Sequence, residues 1–74
     1  MELFFVVMRP VRNPSQEQAY TGPLHGWQPK RMPNGRPNPL YQEWPMPRHK
    51  ALQMCAEMRV IRPGFDVWAI EREV

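Results

Sequence analysis

Large apolar and β-branched side chains occupy positions 3–8 without a polar interruption, and Arg9-Pro10 closes the run. A run of this kind predicts a strand over 3–9 that is buried on both faces. Proline brings no N–H to a ladder, so the strand is expected to stop or become an edge at Pro10. From position 48 the spacing turns helical. At 100° per residue, Ala51, Leu52, Met54, Cys55 and Met58 fall within a stripe of about 160°. His49, Lys50, Gln53 and Glu57 lie outside it. Pro47 suits a first helical turn, and Arg62-Pro63-Gly64 ends the pattern. The prediction is a helix over 47–61 that buries Leu52, Cys55 and Met58. In the apolar stretch that follows, Phe65, Val67 and Ala69 take one face of a strand and Trp68 and Ile70 the other. This predicts a second strand over 65–72, with a polar tail at 71–74.

The intervening segment, 10–46, reads as one long proline-rich loop. Pro33-Asn34-Gly35-Arg36 carries a tight-turn signature, in which Asn34 and Gly35 are the residues able to take positive φ. A third short strand is expected at 40–44. Leu24, Trp27, Leu40, Tyr41 and Trp44 are spaced apolar anchors, so the loop is expected to be ordered. Trp44 and Trp68 are read as core residues. The fold class is therefore α+β: one helix packed on a small two- to three-stranded sheet with a long proline-rich loop, in a single domain. If the two long strands are neighbours, a right-handed parallel crossover is the expected connection.

Composition narrows the chemistry. In 74 residues there are ten prolines and one cysteine. Cys55 has no partner for an internal disulfide, which points to a reducing compartment and to a small buried hydrophobe. The opening run lacks a basic start, is too short for a signal peptide, and nothing spans a bilayer. A soluble, cytoplasmic protein is expected. His49 and Cys55 fall on opposite sides of the helix, so they form no nucleophile–base pair. His25 stands apart in the loop, and no spacing resembles a zinc site. The carboxylates are scattered, and no glycine-rich phosphate loop follows a strand. No enzyme, no metal and no cofactor are expected.

The net charge is +3, and its distribution matters more than its size. Between Tyr20 and Lys50, five cations (Lys30, Arg31, Arg36, Arg48, Lys50) face Glu43 alone. Trp27, Lys30, Arg31 and Arg36 form the candidate partner-binding set, joining an aromatic to three cations beside a turn. Such a set fits an acidic protein surface, where Trp and Arg anchor interfaces, or single-stranded nucleic acid, where bases stack and phosphates are neutralised. The Pro37/Pro39 and Pro45/Pro47 pairs lack the full PxxP pattern of SH3 ligands. An unpaired edge of so small a sheet is a further route to binding by strand addition.

Taken together, the apolar 3–8 run, the Pro/Arg/Trp-rich middle and the 48–59 helix resemble the RNA-polymerase-binding transcription regulators of Xanthomonas phages, in size, charge and texture over the whole chain. A monomer is expected, acting in the host bacterial cytoplasm if the chain is phage-encoded. The resemblance implies binding to the β′ subunit of RNA polymerase, displacement of σ to block initiation, and altered termination. No individual contact residue follows from it. The alternatives are a basic nucleic-acid-binding module using the Trp/Arg/Lys loop, or a small phage assembly subunit.

Overall fold

The computed structural model describes residues 2–72. It has one helix packed against a five-stranded, wholly antiparallel sheet, an α+β arrangement. The strands are β1 (Leu3–Pro10), β2 (Gln18–Tyr20), β3 (Trp27–Pro29), β4 (Met46–Pro47) and β5 (Phe65–Arg72), and α1 (Arg48–Ile61) joins β4 to β5. Strand β1 is central. All eight of its residues pair with β5 on one side, from Leu3↔Arg72 to Pro10↔Phe65. On its other side β2 meets Val7 and Met8, β4 meets Leu3 and Phe4, and β3 lies outside β2. Of the tail expected at 71–74, Glu71 and Arg72 are ladder residues, and Glu73 and Val74 lie outside the described residues.

The two long strands are neighbours, but they run antiparallel, not parallel. The helical crossover leaves from β4, which is itself antiparallel to β1. It therefore links two strands of the same direction, β4 and β5, with β1 between them. The sheet has five strands where two or three were expected, because β1 offers a second bonding edge that β2 and β4 fill, and β3 adds outside β2. The 10–46 stretch is consequently not one loop: it holds β2, β3, the start of β4 and an isolated bridge between Arg31 and Pro37. No strand forms at 40–44.

Pro10 belongs to β1, and the ladder geometry explains why. The Val11 N–H donates to the Gly64 carbonyl at 3.1 Å, in register with the β1–β5 pairing. Alternation then turns the backbone of Leu3, Phe5, Val7 and Arg9 toward β5, and that of Phe4, Val6, Met8 and Pro10 the other way. The proline nitrogen thus points beyond the end of β2, where no bond is lost.

The sheet has two unequal faces. Under the helix, Val6, Met8, Met46, Ala51, Cys55 and Val67 form the main core, flanked by Phe4, Tyr20, Trp27, Met54, Met58, Phe65 and Ala69. On the opposite face Phe5, Val7 and Ala19 are buried, with Tyr41 and Trp68 packed against them. Arg9 lies over the Trp68 ring at 5.2 Å and reaches Asp66 at 4.0 Å.

Four apolar residues depart from their expected role. Leu24 and Leu40, expected as anchors, are 85% and 43% exposed. Trp44 is 43% exposed, and its ring lies across Gly22. Leu52 is 52% exposed. The helix seats on Ala51 and Cys55, and Leu52 lies roughly 80° round from their midpoint, since residues advance 100° each. On that side the sheet ends at β5, so nothing covers it. Leu52→Ala is accordingly expected to cost no more than about 1 kcal/mol, well below a full core deletion. A melting temperature within a few degrees of wild type is the expected result, and complete unfolding at 25 °C would contradict this placement.

Candidate functional site: a cationic arm beyond the sheet

After β3 the chain folds back on itself in a short arm, 30–38. The Asn38 N–H donates to the Lys30 carbonyl (3.1 Å), the Met32 N–H to the Arg36 carbonyl (2.8 Å) and the Gly35 N–H to the Met32 carbonyl (2.9 Å). The tight turn predicted at 33–36 is present one residue earlier, spanning 32–35. Only Gly35 takes positive φ (+83°); Asn34 does not. Its side chain serves the turn differently, with Oδ1 accepting the Arg36 N–H at 3.0 Å. A turn followed by a left-handed glycine is the usual build of a three-residue hairpin loop. Arg31 adds a bond from Nη1 to the Gly35 carbonyl at 3.1 Å.

Asn38, a residue the sequence reading passed over, fastens this arm to the sheet. Its Nδ2 donates to the Pro29 carbonyl (2.9 Å) and to Gln28 Oε1 (3.1 Å), and its Oδ1 accepts the Leu40 N–H (3.0 Å). The Pro37-Asn38-Pro39 sequence was the available signal, since asparagine side chains commonly close turns beside proline. Through these bonds the outer edge of β3 is covered at Pro29, which itself has no N–H to offer.

The structure brings Lys30, Arg31 and Arg36 together on the arm, all exposed, and sets Trp27 apart from them. Among the described residues the single ion pair is Arg9–Asp66, so none of the three cations is neutralised by a carboxylate contact. Met32, 42% exposed, is the apolar residue beside them. Trp27 is half-buried at the sheet, where its ring meets Tyr20 edge-on at 5.5 Å and packs on the core under the helix. Alternation in the β2–β3 hairpin decides this: Tyr20↔Trp27 is a cross-strand pair, and both side chains share the helix face.

A shallow cleft of about 250 Å³ separates the arm from residues 15–19; Glu17, Lys30, Arg31 and Tyr41 are among its walls. Burial pushes the Tyr41 phenol above its ordinary range, and Glu43 and Glu17 reinforce the shift. Tyr41 therefore stays a neutral hydroxyl at physiological pH. Elsewhere, burial raises the Cys55 thiol above its ordinary range and favours its protonated form on the core side of α1, while Arg59 acts in the opposite direction. His25 and His49 are exposed on separate elements. Among the described residues no three His, Cys, Asp or Glu side chains gather as a metal site, and no helix is long and apolar enough to cross a membrane. Comparison with protein-family models, with curated proteins and with solved structures finds no match to this chain.

Proposed function

We propose that this chain is a non-enzymatic protein-binding regulator that docks an acidic protein surface through the 30–38 arm. The observation that carries this reading is the separation of Trp27 from Lys30, Arg31 and Arg36. Binding of single strands without sequence preference relies on aromatic platforms beside the cations, each stacked base contributing about 1–3 kcal/mol. Here the tryptophan that would provide one is engaged with Tyr20 and the core. What remains on the arm is three unpaired cations and Met32, held by internal hydrogen bonds. Cations carried on an ordered backbone steer encounter with a partner of opposite charge and help set its register. The first partner to test is the β′ subunit of bacterial RNA polymerase, which the resemblance in size, charge and texture implies.

The test is capture from a bacterial lysate followed by binding kinetics on the identified partner. Simultaneous Lys30→Ala, Arg31→Ala and Arg36→Ala should slow association about tenfold or more at low salt, with a smaller effect at high salt. Circular dichroism should match wild type, since all three side chains are exposed. Undiminished association by the triple variant removes the arm from the interface. Tight binding to single-stranded DNA or RNA, falling by orders of magnitude as salt rises from about 50 to 200 mM, establishes the nucleic-acid reading in its place.

A further inference from the structure

On the opposite margin of the sheet, β5 pairs with β1 alone, and among the described residues no strand lies beyond it. The bonded pair Val11–Gly64 fixes the alternation, so Phe65, Val67, Ala69 and Glu71 turn their backbone groups outward. Two of these groups are occupied: the Phe65 N–H donates to the Arg62 carbonyl (3.1 Å), and Arg59 Nη2 donates to the Val67 carbonyl (3.0 Å). Among the described residues, the N–H groups of Val67, Ala69 and Glu71 and the carbonyls of Ala69 and Glu71 have no protein partner.

The geometry points to a second copy of this chain as the occupant of the edge, in a two-fold dimer whose β5 strands pair antiparallel about Ala69. Only outward-facing residues can exchange ladder bonds, so the two-fold axis is limited to a few registers. Centring on Ala69 sets Asp66 opposite Arg72 of the second copy, Trp68 opposite its Ile70, and the reciprocal pairs likewise. On the face away from the helix, each charge then meets its opposite and each large apolar side chain meets another. Sliding one step in either direction places Asp66 against Ile70 in one case and Trp68 against Arg72 in the other. Opposite charges directly across an antiparallel pair stabilise it, and mismatches do not. A strand from an unrelated protein would need the same alternation of charge; a second copy has it already.

The helix side fits the same axis. Beside the edge runs a groove of about 460 Å³ in which Leu52 and Ala69 are lining residues, with Arg59 and Glu71 among its polar ones. An axis through Ala69 sets two such grooves side by side, so each exposed Leu52 faces the groove of the other copy. Val67 then stands opposite the second copy's Glu71. Arg59 can exchange the Val67 carbonyl for that carboxylate, releasing the carbonyl to the ladder. The open edge expected from the sequence as a route for a partner's strand is thus assigned to a second copy, in place of the expected monomer.

Sedimentation velocity on the full chain, from micromolar to submillimolar concentration, tests the proposal. Wild type should shift from monomer to dimer. Asp66→Arg should weaken the dimer about tenfold or more, because two symmetric pairs become repulsive. The double variant Asp66→Arg with Arg72→Asp should restore it, although the Arg9–Asp66 contact stays broken in both. A purely structural role for Asp66 predicts no such rescue. Should Asp66→Arg fail to fold, amide exchange on wild type decides independently: protection at Val67, Ala69 and Glu71 should rise with concentration, while Trp68 and Ile70, bonded to β1, stay protected throughout. A monomer at every concentration, a dimer indifferent to Asp66→Arg, or edge amides whose exchange ignores concentration each overturns the proposal.

Discussion

Met8→Ala is expected to leave a chain that is largely unfolded or only marginally folded at 25 °C. Met8 is 1% exposed and sits in the middle strand, between Gln18 of β2 and Val67 of β5 and within the core beneath the helix. Both neighbouring strands and the helix therefore close on this side chain, leaving little scope for local collapse around the missing atoms. Deleting a buried methionine costs about 2–5 kcal/mol. A domain of this size has roughly 4–11 kcal/mol of stability in total, at about 0.05–0.15 kcal/mol per residue. Urea titration followed by circular dichroism measures the loss as a fall in midpoint at constant slope. A shift as small as the one expected for Leu52→Ala would show that the core does not rest on β1 in this way.

Gly22→Ala is the second large effect, and it has two separable sources. Gly22 has φ +103°, a region that L side chains rarely adopt, so any Cβ there is strained. The added Cβ would also stand 2.6 Å from Trp44 Cε3 and 2.8 Å from Cζ3, well inside contact distance. The indole must move off the β2–β3 hairpin or the hairpin must open. A combined cost of about 2–4 kcal/mol is expected, from backbone strain plus lost packing. In a Trp44→Ala background the steric part vanishes, and Gly22→Ala should then cost only about 1–2 kcal/mol. Equal costs in the two backgrounds would mean that the Trp44 contact contributes nothing, and a cost below about 0.5 kcal/mol in wild type would remove the strain argument as well.

How much of this was legible follows from where each signal resides. The 3–8 run, the 3.6-residue spacing after Pro47 and the alternation from Phe65 are all longer than the noise of local composition, and each marks an element that forms. The short strands carry no comparable signal. Trp27–Pro29 ends in a proline and Met46–Pro47 is two residues long; both are strands because β1, or β2 beside it, offers them a ladder. Missing β4 also reversed the relation of the long strands, since it hid where the crossover begins. The cations at 30, 31 and 36 were visible as a group because a turn keeps sequence neighbours together. Trp27 left that group for a reason the local sequence does not show, namely its pairing with Tyr20 across a hairpin that two positive-φ glycines, Gly22 and Gly26, allow. Leu52 was read as core from its place on the apolar stripe, yet its burial depended on how far the sheet extends beneath it.

The covering of β3 has a consequence for assembly. An antiparallel sheet open at both margins can recruit copy after copy, and such growth has no natural end. In this chain the β3 margin is hindered at Pro29, which has no donor and whose carbonyl is held by Asn38. The proposed pairing of β5 strands then leaves the short β3 strands, hindered at Pro29, at the margins of the joined sheet. Open-ended growth is thereby disfavoured in a domain rich in β-structure with little stability to spare. The same asymmetry would leave the two arms at the far ends of a joined sheet, each pointing away from the seam, so one particle could engage two acidic surfaces at once.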